Sequence, residues 1–196
     1  MKAFIGVYKP FGASVVRRVL GLQSSEEVQV RGVSQRSSVP SVGYWAVRHH
    51  HCRAIVVVDS ESTYPNVAEA SADGLQDLMI YPSCVTMHMA VPEVAVVLFV
   101  SPEHLAATLG IEITQAELVR AEYVPGEILD RLVARSPRIH NRDGLIEQME
   151  DEYAARVRAH PLMREIACSL AQAIASPIEV LTGEEYYSRA TELLPS

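Results

Sequence analysis

The sequence predicts an α/β protein in which a mostly parallel sheet is flanked by helices and followed by a helical C-terminal region. The strongest indication is the continuous, largely β-branched apolar run of residues 54–59, because strands covered on both faces of a parallel sheet read in this way. Strand-like and helix-like periodicities alternate before and after that run. From about residue 92 onwards the patterns are helical and are separated by proline or glycine.

Each element of the first half has its own local signal. The second strand alternates Val28 and Val30 with Gln29 and Arg31, which is typical of a strand exposed on one face. The expected strands are residues 3–7, 28–33, 54–59 and 84–90. The expected helices between them are residues 13–21, 43–51 and 66–81. This order predicts parallel strands joined by helical crossovers.

The second half is expected to be helical. Two short helices begin with a proline followed by an acid, at Pro92 and at Pro102, which suits helix N-termini. The expected helices are residues 92–100, 102–109, 114–122, 126–134, 143–158 and 161–175. The length of 196 residues allows one substantial core, so we expect an α/β core over residues 1–110 and a helical extension over residues 111–196 that packs on it.

Composition narrows the class of protein. No apolar run approaches the roughly 20 residues that a membrane-spanning helix needs. The first apolar stretch is interrupted at Tyr8, Lys9 and Pro10, which does not fit a signal peptide. Three widely spaced cysteines do not suggest a disulfide framework, so we expect a cytoplasmic protein without membrane contact. The net charge of −7 argues against broad nucleic-acid binding but leaves room for a local basic site.

Two acids directly follow the predicted central strand. Ligands of open α/β sheets gather beyond the carboxyl ends of the strands, where Asp59 and Glu61 are expected. On an extended segment these two carboxylates would point the same way and would converge on Mg²⁺ or Mn²⁺. The alternative is structural, because strands of α/β proteins also end in Asp to satisfy turn and helix-cap backbone groups.

Histidines offer a second set of candidates. His49 and His51 would point to one side of an extended segment and suit a transition metal. The more ordinary interpretation is a solvated end of a helix or loop before the central strand. His88 and His104 stand alone in the sequence, and we expect structural roles for both.

With its acids in this order, the chain resembles the Toprim domain of topoisomerases, OLD-type nucleases and small ATPase-associated phage-defence proteins. Asp59-Ser60-Glu61 resembles the family's Asp-x-Asp motif after the third strand, and the segment that begins Pro92-Glu93 resembles an acidic segment after the fourth. The resemblance covers residues 1–110. It implies a metal-dependent nuclease subunit of a defence assembly, in which Asp59 and Glu61 hold Mg²⁺ or Mn²⁺, Glu93 is a third catalytic acid and an AAA-type ATPase is the partner.

The departures from the family support a second hypothesis. Where the family has a glutamate after its first strand, this chain carries no carboxylate between Val7 and Gly12. Lys9 stands there instead, and it would either bind a phosphate, together with Arg53, or neutralise Asp59 in place of a metal. The alternative function is therefore a catalytically degenerate Toprim-like module that binds or regulates a partner protein. A nuclease would take nucleic acid as its substrate, whereas the degenerate module would need only the partner.

Overall fold

A parallel sheet lies at the centre of the computed structural model, which describes residues 1–77, 83–176 and 178. Its strands are β1 (Ala3–Tyr8), β2 (Val28–Val33), β3 (Arg53–Asp59) and β4 (Val85–Ala90). Their order in the described sheet is β2-β1-β3-β4, and every neighbouring pair is parallel. The α/β fold class with a parallel sheet, flanking helices and a helical C-terminal region is confirmed.

Helices connect the strands and continue after the sheet. Those between strands are α1 (Pro10–Val19), α2 (Val39–His50) and α3 (Pro65–Gln76), with a short 3₁₀ turn at Arg36–Ser38. A 3₁₀ helix, Val94–Val100, follows β4. The later helices are α4 (Pro102–Leu109), α5 (Gln115–Ala121), α6 (Pro125–Arg135), α7 (Arg142–Glu147), α8 (Asp151–Arg158) and α9 (Pro161–Ala175).

The two faces of the sheet bury different layers. Ile5 and Ile55 point to the face covered by α1, the 3₁₀ helix and the later helices, including α9. Phe4 and Val56 point to the opposite face, which α2 covers. Because β3 is buried on both sides, a β-branched run suits it: five of its seven residues are Ala, Ile or Val and are nearly inaccessible. The helical second half thus completes the larger of the two cores.

Four predicted helices were placed wrongly. The helix expected over residues 43–51 begins four residues earlier, at Val39. The helix expected at residues 92–100 is a 3₁₀ helix that begins at Val94, because Glu93 is extended (φ −155°, ψ 161°). The single helix expected over 143–158 is two helices, since Met149 leaves the helix to be buried and its carbonyl accepts a bond from Arg18 Nε at 3.1 Å. The first helix begins at Pro10 rather than at residue 13. Residues 78–81 of the helix expected over 66–81 lie outside the described residues.

The histidine run lies where the ordinary interpretation placed it. His49 and His50 form the last turn of α2, His51 ends that helix with a left-handed φ of 49°, and all three are exposed. The rings of His49 and His50 lie 5.8 and 4.7 Å from that of Trp45. This cluster is a solvated helix end.

Candidate functional site

The carboxyl ends of β1 and β3 define a crevice at the edge of the sheet. From β1 the chain crosses to β2 on one side of the sheet and later returns to β3 on the other, so the strand order reverses between these neighbours. Ligands of open α/β sheets bind at such a switch point. Lys9 directly follows β1 and Asp59 ends β3, which brings two of the predicted site residues to this position.

Both carboxylate oxygens of Asp59 contact other groups of the same chain. Its side chain is 2% exposed, its Oδ1 accepts a hydrogen bond from the Val94 amide at 2.9 Å, and its Oδ2 lies 3.1 Å from Lys9 Nζ. Burial raises the pKa of Asp59, while the Val94 amide and the Lys9 ammonium oppose that rise. The carboxylate therefore accepts a hydrogen bond from the first amide of the 3₁₀ helix and also pairs with the Lys9 ammonium. This is the structural role that the sequence analysis gave as the alternative to metal binding.

Lys9 reaches the crevice through a strained backbone. Its φ of 66° with ψ of 138° is a conformation that favours glycine and costs other residues of order 1–3 kcal/mol. Its ammonium contacts Asp59 and lies 3.4 Å from Glu93 Oε2. Burial alone lowers the pKa of Lys9, but these two carboxylates outweigh it and the pKa is raised. One ammonium thus bridges Asp59, which the sequence analysis assigned to a metal, and Glu93, which it expected as a third catalytic acid.

Glu93 is held by the helical second half of the chain. Its Oε1 accepts a hydrogen bond from the Gly126 amide at 2.6 Å, in the first turn of α6, where backbone amides are available to an acceptor. Arg142 lies on the other side of this turn, donating to the Gly126 carbonyl at 2.8 Å and to both Asp130 oxygens. Those bonds to Asp130 are the largest cause of a raised Arg142 pKa, to which Glu93 also contributes.

Glu61 lies apart from this ion pair. Asp59 is the last residue of β3 and Glu61 has a left-handed φ of 59°, so the extended segment assumed for these two acids is not present. Glu61 is exposed, and its Oε1 accepts a hydrogen bond from the Tyr8 hydroxyl at 3.2 Å. Burial and the Glu61 carboxylate raise the pKa of Tyr8. Glu61 and Asp59 thus contact different partners.

Arg53 lies at the other end of the sheet. It begins β3 whereas Asp59 ends it, a separation of about 20 Å at roughly 3.3 Å per residue. Its guanidinium donates to the carbonyls of Ser176 and Ser83, at 2.8 and 2.7 Å. The structure therefore does not bring Arg53 together with Lys9, and the expectation of a shared phosphate site has no geometric basis.

The charged side chains of the crevice are already paired with one another, which leaves few of them available to a ligand. Across residues 1–77, 83–176 and 178, no group of three or more His, Cys, Asp or Glu side chains is arranged to hold a metal ion. Lys9 occupies the space between Asp59 and Glu93 where a divalent cation would have to lie. An added phosphate would meet these two carboxylates beside the lysine, which opposes binding.

Sequence reasoning missed three members of the site: Tyr8, Gly126 and Arg142. Tyr8 could have been found, because it ends a strand at the same edge as Asp59. Gly126 acts through its backbone amide, and a Cβ there would come within 2.5 Å of Glu93 Oε1. Nothing in the sequence pattern connects Gly126 or Arg142 to a segment more than 30 residues earlier.

Comparisons with family models, with curated proteins and with solved structures gave no match. In the described part of the chain, no helix has the length and apolar character that crossing a membrane requires. The three cysteines, Cys52, Cys84 and Cys168, carry free thiols.

Proposed function

We propose that this chain is a Toprim-like module that binds and regulates a partner protein, its strand-end acids being neutralised by Lys9 instead of by a metal. The observation that carries the proposal is the double engagement of Asp59, with the Val94 amide on one oxygen and the Lys9 ammonium on the other. A carboxylate used in this way stabilises the loop between two elements. Metal-dependent cleavage would need that same carboxylate for the ion.

The energetic argument favours the resident lysine. To bind, a divalent cation must displace an ammonium that is covalently attached and already paired with both acids. Mg²⁺ must also give up part of a tightly held water shell, which it does reluctantly. Without a carboxylate after β1, the remaining ligands would be Asp59 and Glu93, with Glu61 directed to Tyr8.

Calorimetric titration of Mg²⁺ and Mn²⁺ tests this proposal. We expect no measurable binding to the wild-type protein and millimolar or tighter Mn²⁺ binding to Lys9→Gly, because that variant frees two carboxylates and glycine accepts the backbone conformation. Adding Asp59→Ala to Lys9→Gly should abolish the new binding. Mn²⁺ or Mg²⁺ binding by the wild type that disappears in Asp59→Ala/Glu61→Ala would overturn the proposal.

One observation keeps a metal-dependent nuclease as the second candidate. Asp59 and Glu93 approach the same cation, so the two carboxylates already converge. In this candidate, Asp59, Glu93 and Glu61 would hold Mg²⁺ or Mn²⁺, which would polarise the scissile phosphate and activate water, and Lys9 would contact the nucleic-acid phosphate. Divalent-ion-dependent cleavage of DNA or RNA by the wild type, absent in Asp59→Ala, would favour this candidate over the first.

An apolar surface outside the crevice supports the partner-binding proposal. An open groove is lined largely by apolar residues of the 3₁₀ helix, α4 and α5, among them Val96, Phe99 and Leu118. Val119 and Tyr123, which directly follow the lining residues Leu118 and Glu122 in the chain, are 48% and 59% exposed. Exposed apolar side chains grouped in this way mark protein interaction sites. The partner that the resemblance suggests is an AAA-type ATPase, and we place both proteins in the cytoplasm, where the free thiols stay reduced.

Substitutions on this surface test the partner. We expect Val119→Asp/Tyr123→Asp to abolish co-purification of ATP-hydrolysing activity with the tagged chain from its native cells, because two charges would be buried in the interface. Val67→Asp is the matched control, since Val67 is 46% exposed on α3. Asp59→Ala should also retain the activity. Equal recovery with all three variants would contradict this surface as the docking site.

A further inference from the structure

A serine, a histidine and a glutamate meet where α9 crosses β4. His88 Nε2 lies 2.9 Å from Ser169 Oγ, and His88 Nδ1 lies 3.6 Å from Glu165 Oε2. Glu165 and Ser169 are four residues apart on α9 and so lie on one face of the helix. Hydroxyl, imidazole and carboxylate therefore follow one another in the order that nucleophilic catalysis by serine requires.

The environment of His88 suits a general base. Its side chain is 11% exposed, and burial lowers its pKa while Glu165 partly opposes that effect. Among the charged groups of the described chain, Glu165 is the one that shifts the pKa of His88. A neutral imidazole at pH 7 accepts the serine proton, and the carboxylate then stabilises the imidazolium that forms.

A pocket that includes Ser169 in its lining lies beside this group of residues. It has a volume of about 280 Å³ and lies at the amino-terminal ends of β3 and β4, far from the crevice of Lys9. Its lining includes Ser169 together with Arg53, Thr86 and Gln172. His88 contacts the Ser169 hydroxyl but does not line the pocket, so a substrate could occupy the pocket without displacing the base.

We propose that Ser169 is the nucleophile of an acyl-transfer site for small esters that carry a negative charge, with His88 as general base and Glu165 as a positioning residue. Ser169 Oγ attacks the ester carbonyl carbon while its proton passes to His88 Nε2. The carbon–oxygen bond to the alcohol breaks, and His88 returns the proton to the leaving alcohol. Water then attacks the acyl carbon and gives a proton to His88. The bond from that carbon to Ser169 Oγ breaks, His88 returns the proton to Ser169 Oγ, and the carboxylic acid leaves.

The other polar residues of the pocket could bind the negative charges of the substrate and of the oxyanion. Arg53, held by the carbonyls of Ser176 and Ser83, presents a fixed cation to an anionic group of the substrate. The Gln172 amide lies three residues beyond Ser169 on α9, and the Thr86 hydroxyl lies on β4. Both are donors of the kind that stabilise the oxyanion in acyl transfer. This site is independent of the function proposed for the crevice at the other end of the sheet.

Covalent labelling tests the site directly. A fluorophosphonate probe should form a serine ester with loss of fluoride, and peptide mass spectrometry should locate the adduct on Ser169. Ser169→Ala should abolish labelling, and His88→Gln should slow it by roughly 10²- to 10⁴-fold, as expected for loss of a general base. Ser41→Ala is the control, because Ser41 is an exposed serine of α2, the helix that covers the opposite face of the sheet, and its removal should leave the labelling rate unchanged.

The pH dependence of labelling tests the role of Glu165. In Glu165→Gln, the pH at which labelling is half-maximal should fall, because the amide no longer favours the imidazolium. A structural tether between α9 and β4 predicts no such shift. Absence of a Ser169 adduct in the folded wild type would overturn the proposal without any variant, and so would an adduct whose rate is unaffected by His88→Gln in a variant with native circular dichroism.

Discussion

Lys9→Met is expected to lower the free energy of unfolding at neutral pH, and the cause lies in Asp59. The substitution removes the ammonium 3.1 Å from a carboxylate that is 2% exposed, while the Val94 amide stays bonded to the other oxygen. Breaking a fully buried ion pair costs about 3–5 kcal/mol. We expect about 2–3 kcal/mol here, because the Lys9 side chain is 38% exposed and solvent screens part of the interaction.

The loss of stability in Lys9→Met should increase with pH. The pKa of Lys9 is raised in the folded state, so its stabilisation is present below its ordinary value of 10.5 and is lost as the pH rises through the raised value. The pKa of Asp59 is raised from 3.8, so ionised Asp59 costs the folded state more as the pH rises above that value. Without the ammonium this cost increases. The difference between wild type and Lys9→Met should therefore widen from pH 4 to pH 7.

Lys9→Gly separates charge from backbone strain. It removes the same ammonium but relieves the unfavourable φ and ψ at position 9, so it should be more stable than Lys9→Met by about 1 kcal/mol. Urea denaturation of the three proteins at pH 4, 5.5 and 7 gives these differences. A Lys9→Met protein as stable as wild type at pH 7 would mean that the Lys9–Asp59 pair contributes nothing measurable.

The fold could be predicted to the extent that local pattern decides it. The buried run of β3 and the alternation of strand and helix are direct consequences of a sheet covered on both faces, and they gave the parallel architecture. Helix ends were less predictable because tertiary contacts set them. The helical pattern of residues 143–158 is interrupted at Met149, whose side chain is buried and whose carbonyl accepts a hydrogen bond from Arg18. No local property of the sequence in this range indicates the interruption.

The candidate site was predictable in position but not in chemistry. Asp59 was located from the strand that it ends, because ligands of parallel sheets gather at the carboxyl edge. Lys9 was singled out because it stands where the Toprim family, which the sequence resembles, has a glutamate after its first strand. Whether the lysine would neutralise the aspartate or bind phosphate depends on a side-chain geometry that the sequence does not contain. The contact of Glu93 with Gly126 depends in addition on how α6 packs against the 3₁₀ helix that follows β4.

Gly32→Ala is expected to be the second large perturbation, since it acts on the loop that carries Lys9. A Cβ at position 32 would lie 2.6 Å from Pro10 Cα, a backbone atom that cannot rotate away. The Lys9 amide also donates to the Val33 carbonyl at 2.8 Å, so the β2 edge and this loop are coupled. Overpacking costs about 1–3 kcal/mol, and we expect the upper part of that range because backbone must move.

A matched control and a double variant identify the cause. Gly74→Ala lies in α3 with open space around the new Cβ, and it should stabilise the protein by about 0.5–1 kcal/mol. If Gly32→Ala acts by displacing Lys9 from Asp59, then Gly32→Ala/Lys9→Met should lose less stability than the two single variants together, since the ion pair can be lost only once. Full additivity in urea denaturation would show that the alanine strains the loop without disturbing the ion pair.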